Sequence, residues 1–332
     1  MKKNLSLIFL LLSLSSKSQI PFEYEKEISN PENYNFQEVD FQNQDEKIKL
    51  SGTLITPKSD FDKIVIIVPG SGKDTRYSHF ILAEQLLKNN IAVYRFDERG
   101  VGKSEGNYSE LVSELSNDLH FAFKNIQNTN NDKKIGIIGH SIGGIATLKI
   151  SEEIRTLDFI VLIETPVKKN GAFIINQFKM NYENSIPEIM RKGKTKNEII
   201  TFMEGYLQII KNNDANYLKS EAKKYIQEKG FNKRFIALLN DEFLVEMATT
   251  NLEDTIKNTA LKTLYVTGTK DQIINHKDEL SFIESLKNPN IEIKIFEDLN
   301  HYLTDRNGIV GSSLYQMDEE PLQHIIDWII KK

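Results

Sequence analysis

Residues 134–150, KIGIIGHSIGGIATLKI, form the stretch that decides the fold. A β-branched run from Ile135 to Ile138 precedes Ser141, and an apolar helical pattern follows it, which predicts a buried strand, a sharp turn and a helix. Glycines stand two residues before and two residues after the serine, where a side chain would collide with a tight strand-to-helix crossing. The combination indicates a nucleophile elbow, which holds the serine hydroxyl out above the sheet.

Ile142, the residue after the serine, is predicted to begin the helix. The N–H groups of a first helical turn have no intrahelical acceptor, and the helix dipole favours negative charge there. The backbone amide of Ile142 is therefore a candidate donor of an oxyanion hole. The alternative for this stretch is a serine in an ordinary strand-to-helix turn.

The N-terminal residues have the order of a secretory signal. Lys2 and Lys3 precede a mostly apolar run from Leu5 to Leu14, and small residues follow. We expect residues 1–18 to be a signal peptide and the protein to be exported, either to the periplasm or as a secreted protein. A buried N-terminal helix is the alternative. No later segment has the unbroken apolar length of a membrane span, so no integral membrane segment is expected after signal removal.

The composition of the 332 residues excludes several classes of function. Cysteine is absent, which excludes thiol nucleophiles, thiolate metal sites and disulfides. The formal net charge of −5 argues against a nucleic-acid partner, because phosphate binding needs a basic surface. Residues 70–73 and 102–104 resemble parts of phosphate-binding loops, but each lacks residues that such a loop requires. No histidine pair has zinc-ligand spacing on a helix, so we expect neither a metal nor a cofactor.

Strand and helix patterns alternate along most of the chain, which predicts an α/β fold with a mostly parallel, doubly wound sheet. The predicted parallel strands are Lys63–Val68, Ile91–Phe96, Ile135–Ile138, Phe159–Ile163, Leu264–Thr267 and Ile291–Phe296. Apart from the helix of the elbow, the predicted helices packed on this sheet are Ser78–Lys88, Ser113–Gln127, Lys277–Leu286 and Leu322–Ile330. Glu38–Phe41 and Lys47–Thr56 alternate polar with apolar residues and predict an antiparallel pair at the sheet edge.

The alternation stops at Glu164 and resumes near Leu261, which predicts a helical insertion at about residues 165–255 of a single domain spanning 19–332. The predicted insertion helices are Gly171–Tyr182, Ile186–Lys211, Asn216–Lys229 and Phe235–Met247. The insertion is rich in aromatic and methionine residues, which either face a substrate or form the insertion's own core. These residues are Phe173, Phe178, Met180, Tyr182, Met190, Phe202, Met203 and Tyr206.

Functional groups gather at the carboxyl ends of parallel strands, so the partners of Ser141 are expected there. Asp271 follows the strand Leu264–Thr267, and His301 follows the last strand. A serine hydroxyl needs an imidazole to accept its proton, and the imidazole needs a carboxylate to fix its tautomer. The predicted roles are therefore nucleophile for Ser141, general base for His301 and orienting acid for Asp271. The alternatives are His276 as the base, and Asp298 or Asp278 as the acid.

A second glycine-rich turn, Pro69 to Gly72, ends the first parallel strand. A backbone amide in this position supplies the second oxyanion donor in serine hydrolases built on such a sheet. We expect the amide of Ser71, or that of Gly72, to face Ile142; a plain glycine turn is the alternative. Another loop, which contains Asp97, Arg99, Gly100 and Gly102, is expected to shape the site without taking part in chemistry.

Five segments together resemble a bacterial α/β-hydrolase family that contains esterases and relatives of serine aminopeptidase and prolyl oligopeptidase. The segments are VPGSGKDTR at 68–76, VYRFDERGVGKSEG at 93–106, GHSIGG at 139–144, VTGTKDQI at 266–273 and LNHYLTD at 299–305. The resemblance implies catalysis by Ser141, Asp271 and His301, an oxyanion hole from the amides of Ser71 and Ile142, and a helical lid over the pocket. It also makes Gly70, Gly72, His140 and Gln177 candidates for substrate contact.

The chain departs from the family at Ile142, where relatives commonly have an acidic residue after the nucleophile. The amide is retained, but a polar contact to substrate is lost. We therefore expect an exported serine hydrolase that cleaves small carboxylic esters through an acyl-enzyme. The alternatives are a peptidase or amidase, a thioesterase, and a non-catalytic binding protein that retains the fold, because a shared fold does not choose among them.

Overall fold

The computed structural model describes residue 20 and residues 22–180, 182–305 and 314–332. The expected signal peptide, residues 1–18, lies outside these described residues. Ten strands are described: β1 Tyr34–Glu38, β2 Phe41–Asn43, β3 Ile48–Leu50, β4 Gly52–Pro57, β5 Lys63–Val68, β6 Ala92–Phe96, β7 Lys134–His140, β8 Phe159–Ile163, β9 Lys262–Gly268 and β10 Ile291–Phe296.

Eight of these strands form one sheet in the order β1-β4-β6-β5-β7-β8-β9-β10. Strands β5 to β10 all run parallel to one another. At one edge of the sheet, β4 pairs antiparallel with β6, and β1 pairs antiparallel with β4. The prediction of a mostly parallel sheet is confirmed. Strand β6 lies on one side of β5, and β7, which follows later in the chain, lies on the other side. The carboxyl ends of β5 and β7 therefore flank a topological switch point. Such points are where ligand crevices form in open sheets.

Twelve α-helices and two 3₁₀-helices are described between the strands and at the ends of the chain. They are α1 Phe80–Lys88, α2 Val112–Thr129, α3 Ile142–Ser151, α4 Ala172–Met180, α5 Tyr182–Ser185, α6 Glu188–Arg191, α7 Lys196–Asn212, α8 Ala215–Glu228, α9 Glu242–Thr249, α10 Glu253–Asn258, α11 His276–Leu286 and α12 Glu319–Ile330, with 3₁₀-helices at Pro31–Asn33 and Lys233–Asn240. In the described part of the chain, no helix is both long and apolar enough to span a membrane.

Helices cover both faces of the sheet because successive side chains of each strand point to opposite faces. In β5, Ile64 and Ile66 belong to a core cluster that also contains residues of α2 and α3. The intervening Val65 and Ile67 belong to a second cluster with residues of α1 and α12. The doubly wound arrangement predicted from the strand–helix alternation is thus confirmed.

The predicted antiparallel pair is present, but it is divided between two sheets. The edge pair is β1 with β4, whereas β2 and β3 form a separate two-stranded hairpin. The side chain of Asn43 accepts hydrogen bonds from the amides of Asp45 and Glu46, and Lys47 has a φ of 60°, so the hairpin turns tightly on itself. Glu38 pairs with Thr53 in one ladder and Phe41 pairs with Leu50 in the other, in the same antiparallel register. The predicted pairing of Glu38–Phe41 with Lys47–Thr56 is therefore confirmed.

Two of the predicted insertion helices are also interrupted. The segment predicted as one helix from Ile186 to Lys211 is divided into α6 and α7 at Gly193, which has a φ of 74°. Thr195 and Glu198 then form a reciprocal capping box at the start of α7. The segment Phe235–Met247 is likewise divided, because the side chain of Asp241 caps α9. Capping side chains and a glycine thus shorten the helices that apolar periodicity alone would extend.

Candidate active site

The turn between β7 and α3 holds Ser141 in a conformation that is rare for a residue with a side chain. Its φ and ψ are 54° and −121°. The flanking glycines are required by space: a Cβ on Gly139 would lie 2.5 Å from the carbonyl oxygen of Gly143, and a Cβ on Gly143 would lie 2.2 Å from that of Pro69. Strained backbone of this kind persists where the surrounding structure fixes it, which is common at functional sites.

A cavity of about 230 Å³ opens beside Ser141. Of the catalytic, oxyanion-hole and substrate-contact residues predicted from the sequence, those that line it are Gly70, Ser71, His140, Ser141, Ile142, Gln177 and His301. Gly72 lies in the turn after Ser71 with a φ of 114°. Ile142 is the first residue of α3, so its amide belongs to the turn whose N–H groups lack intrahelical acceptors. Ser71 and Ile142 therefore bring their backbone to the same cavity as the serine.

The imidazole of His301 is hydrogen-bonded to the carboxylate of Asp271, with 2.7 Å between Nδ1 and Oδ2. The other carboxylate oxygen, Oδ1, accepts hydrogen bonds from the amides of Ile273 and Ile274 at 2.6 and 2.9 Å. Burial alone would raise the pKa of Asp271, but the charge and hydrogen bond of His301 and the further donors outweigh it, so the pKa is lowered. Asp271 is therefore an ionised acceptor, and Nδ1 of His301 carries the proton.

The alternative acids and base lie elsewhere. Asp298 is exposed and pairs with Lys270, with 3.0 Å between Oδ1 and Nζ. The carboxylate of Asp278 accepts a hydrogen bond from the side chain of Asn176. His276 is the first residue of α11. Of the acids considered, Asp271 is thus the one in contact with His301.

Two more histidines form a line of hydrogen bonds that ends at His301. Nε2 of His140 lies 2.8 Å from the carbonyl oxygen of His301, and Nδ1 of His140 lies 3.3 Å from Nε2 of His79. A carbonyl oxygen can only accept, so Nε2 of His140 donates and its Nδ1 accepts from His79. Burial lowers the pKa of His140 to about 3 and that of His79 well below its usual value, so both rings are neutral. His140 therefore lines the cavity and also fixes the backbone of His301.

The loop after β6 forms buried ion pairs. Nη2 of Arg76 lies 2.9 Å from Oδ2 of Asp97, and Nε of Arg99 lies 2.8 Å from Oδ2 of Asp118. These contacts fit the expectation that Asp97 and Arg99 shape a loop near the site.

Helices from the segment between β8 and β9 complete the cavity wall. Phe173 and Gln177 of α4 and Phe243 of α9 line it, together with Ile273 and Ile274. By contrast, Phe202 stacks on Phe231 at 4.0 Å between ring centroids, within a cluster of aromatic rings among these helices. Of the aromatic and methionine residues named for this segment, Phe173 alone is among the described residues that line the cavity. Phe202, Met203 and Tyr206 are buried in the core cluster.

The sequence reasoning missed two buried acids near the site. Glu164 directly follows β8, and one of its carboxyl oxygens lies within 4.8 Å of a carboxyl oxygen of Asp271 and of a ring nitrogen of His301. The carboxylate of Asp271 already accepts hydrogen bonds from the amides of Ile273 and Ile274 and from the ring of His301. Asp74 accepts a hydrogen bond from the hydroxyl of Tyr315, which lines the cavity, and burial raises the pKa of Asp74 to about 8. The available signal for Glu164 was an acidic residue directly after an all-apolar strand.

Comparison with known proteins agrees with this architecture. Esterase EstD of Thermotoga maritima is 22% identical over 256 residues, which cover 75% of this chain and 56% of the relative. The chain thus spans about half the length of this curated relative.

Solved structures share the fold over nearly the whole chain. The esterase Pf2001 of Pyrococcus furiosus has a TM-score of 0.62 at 19% identity and covers 94% of this chain and 96% of its own. A thermostable carboxyl esterase of Bacillus coagulans has a TM-score of 0.57 at 16% identity and covers 89% of this chain and 98% of its own. These likenesses, with the sheet described above, identify the α/β-hydrolase fold expected from the sequence. Residues 59–306 match the family described as serine aminopeptidase, S33. The chain belongs to this Hydrolase_4 family of α/β-hydrolases.

Proposed function

We propose that the protein is an exported serine hydrolase that cleaves carboxylic esters through an acyl-enzyme intermediate. The observation that carries the proposal is the hydrogen-bonded pair of Asp271 and His301 beside Ser141, which stands on a strained elbow in the same cavity. Nδ1 of His301 is occupied by Asp271, so its Nε2 is left to accept the serine proton. The esterase names of the relatives support the same reaction class.

In the proposed reaction, Oγ of Ser141 attacks the ester carbonyl carbon while His301 accepts the hydroxyl proton. The carbonyl oxygen becomes an oxyanion, and the amides of Ile142 and Ser71 donate hydrogen bonds to it. The tetrahedral intermediate then expels the alcohol, which takes the proton from His301. Water attacks the acyl-enzyme by the same route, with His301 as the base, and releases the acid.

Peptide hydrolysis is the second candidate, because the family description names an aminopeptidase. An aminopeptidase must hold the ammonium group of its substrate, for which a carboxylate is the usual partner. Among the described residues that line the cavity, none is an aspartate or a glutamate. The cavity wall therefore favours a neutral ester over a peptide with a free amino group.

The helices between β8 and β9 are proposed to act as a lid that sets substrate size. The apolar side chains of Phe173, Phe243 and Ile273 suit an acyl chain, and Gln177 offers a polar contact. The volume of about 230 Å³ is small for a ligand pocket, which favours short to medium acyl chains.

Export is also part of the proposal and is supported by the leader-like order of residues 1–18. The N-terminus of the protein purified from a bacterial host tests this part: a chain that starts at Gln19 supports export, and a chain that retains the leader contradicts it.

A fluorophosphonate probe, followed by matched panels of esters, thioesters and peptides, tests the reaction class. Labelling at Ser141 with turnover of esters is the expected result. Labelling with turnover of peptides alone would move the assignment to a peptidase. A folded protein whose Ser141 does not react would favour a binding protein that retains the fold.

A further inference from the structure

Glu164 is a buried acid held against the end of β9. It directly follows β8, is fully buried, and has a φ of 46°, which is unusual for a residue other than glycine. Its amide donates to the carbonyl oxygen of Val266 at 3.0 Å. Its carboxyl group accepts hydrogen bonds from the hydroxyl of Thr267, at 2.7 Å, and from the amide of Gly268. These contacts fix the side chain in one position.

A carboxyl oxygen of Glu164 lies within 4.8 Å of a carboxyl oxygen of Asp271, and both side chains are buried. Two ionised carboxylates would offer only acceptors and would repel each other there, so a proton on one of them removes the repulsion and lets that group donate to the other. The pair therefore carries one proton and one negative charge at the pH where the contact exists.

The surrounding donors decide which acid keeps the proton. The carboxylate of Asp271 accepts from the amides of Ile273 and Ile274 and from the imidazole of His301. From the described residues, Glu164 accepts the two hydrogen bonds of Thr267 and Gly268 given above, and neither donor is charged. The negative charge is therefore better stabilised on Asp271. Burial, followed by the charge of Asp271, raises the pKa of Glu164 well above its usual value, which agrees with this assignment.

We propose that Glu164 is a positioning residue: it keeps its carboxyl proton at neutral pH and donates it to Asp271, which fixes the orientation of Asp271 toward His301. The proposal rests on the proposed function. The titratable groups that face Glu164 are Asp271, His301 and Tyr265, whose hydroxyl donates to the carbonyl oxygen of Thr165 at 2.8 Å.

A hydrogen bond donated by Glu164 to Asp271 should change the basicity of His301. A hydrogen bond from Glu164 withdraws part of the negative charge that Asp271 presents to the imidazolium form of His301. A neutral donor therefore moderates the basicity of His301, whereas an ionised Glu164 would add a second negative charge and increase it. The two states of Glu164 thus predict different effects for replacement by glutamine: no change in the titration midpoint of His301 if Glu164 is protonated, and a lower midpoint if Glu164 is ionised.

The test uses three full-length variants. Glu164→Gln keeps a neutral donor of the same size, and Glu164→Met keeps the volume but removes the donor. Glu279→Gln is the matched control, because Glu279 is also a buried acid that accepts two backbone hydrogen bonds, from Val167 and Lys168, away from the cavity. The protonation of the His301 ring is followed by NMR against pH, which needs no substrate. The pH dependence of kcat and KM is measured in parallel.

We expect Glu164→Gln and Glu279→Gln to leave the titration midpoint of His301 where it is in the parent protein. Glu164→Met should raise the midpoint and lower kcat by about 10- to 100-fold with little change in KM, the range that loss of one hydrogen bond to a charged group allows. Infrared difference spectra of parent minus Glu164→Gln should contain the carbonyl stretch of a protonated carboxylic acid.

A fall in the midpoint of about one unit or more in Glu164→Gln would mean that Glu164 is ionised and would overturn the proposal. An unchanged midpoint and kcat in Glu164→Met would also overturn it, and if that variant does not fold, Glu164→Gln and the infrared band decide alone. A parent protein without Ser141-dependent hydrolysis would contradict the proposed function, yet the NMR and infrared results would still settle the proton on Glu164.

Discussion

Oδ2 of Asp271 lies 2.7 Å from Nδ1 of His301, although 30 positions separate the two residues in the chain. The parallel pairing of β9 with β10 brings them together, because each residue follows the carboxyl end of its strand. The contact assigns the proton to Nδ1 and leaves Nε2 of His301 as the basic nitrogen. The first predictions concern the consequences of this assignment.

Ser141→Ala should reduce kcat for ester hydrolysis by about 10⁴- to 10⁶-fold, since the nucleophile is lost while little packing changes. Ser71→Ala is the matched control, because its proposed role needs only the backbone amide, and it should retain most activity. Circular dichroism and thermal unfolding would verify that both variants fold. Near-normal turnover by a folded Ser141→Ala protein would contradict the proposed nucleophile.

Asp271→Asn should lower kcat by about 10²- to 10⁴-fold, because an amide no longer holds His301 in the required tautomer. Asp298→Asn should have a small effect, since that side chain is exposed and paired with Lys270. Steady-state kinetics of the two variants, measured side by side, provide the comparison. If Asp298→Asn were the more damaging change, the acid would have to be reassigned to the loop beside His301.

Chelation should leave activity unchanged. Glu164, Asp271 and His301 are close enough to suggest a metal, but hydrogen-bond donors of the protein occupy the carboxylate oxygens of Asp271. Dialysis against EDTA, followed by an ester assay with and without added zinc, tests this. Loss of activity that zinc restores would show that the reaction depends on a cation.

The residues on the cavity wall should determine acyl-chain preference. Phe243→Ala enlarges the cavity, so kcat/KM across a series of p-nitrophenyl esters should shift toward longer chains. Each additional buried methylene contributes at most about 0.8 kcal/mol, or roughly fourfold. Phe231→Ala is the control, because that ring stacks on Phe202 within the helix cluster. Identical chain-length profiles for the parent and Phe243→Ala would show that this wall does not select the substrate.

The contribution of Glu279 and Asp74 to stability should decline as the pH rises from about 4.5 to 8, because burial raises the pKa of Glu279 to about 7 and that of Asp74 to about 8. In that range the folded protein binds protons that the unfolded chain has released, so each rise in pH favours unfolding. Glu279→Gln should therefore be more stable than the parent at pH 8, by about 1 to 3 kcal/mol, with the difference lost near pH 4. Urea unfolding at several pH values measures this; a difference that grows toward low pH would contradict the assigned direction.

The sequence predicted the parallel sheet because its strands are almost entirely apolar and are separated by periodic helices. The position of Asp271 and His301 at strand ends also predicted the pair that is hydrogen-bonded in the structure. Glu164 was not predicted as a site residue, although it too directly follows a strand. The proposed role of Glu164 depends on Asp271, which is more than a hundred positions away in the chain, and no local sequence pattern contains that contact.

The insertion was predicted less well for a different reason. Apolar periodicity continues across Gly193 and Asp241, where the chain leaves the helix, and side-chain capping decides those breaks. The capping pair Thr195 and Glu198 was visible in the sequence and could have placed the start of α7. The antiparallel pair near the N-terminus was predicted correctly, but its division into two sheets depends on the pairing of β4 with β6, which no local pattern contains.

The line of neutral rings from His79 through His140 to the backbone of His301 joins the start of α1, the end of β7 and the loop after β10. Each ring must donate in the same direction along the line, so replacing one member reverses or breaks the hydrogen bonds of the next. We therefore expect a substitution at position 79 to be accompanied by a substitution at position 140 when this sequence evolves. A library randomised at both positions should yield functional pairs that single substitutions cannot reach.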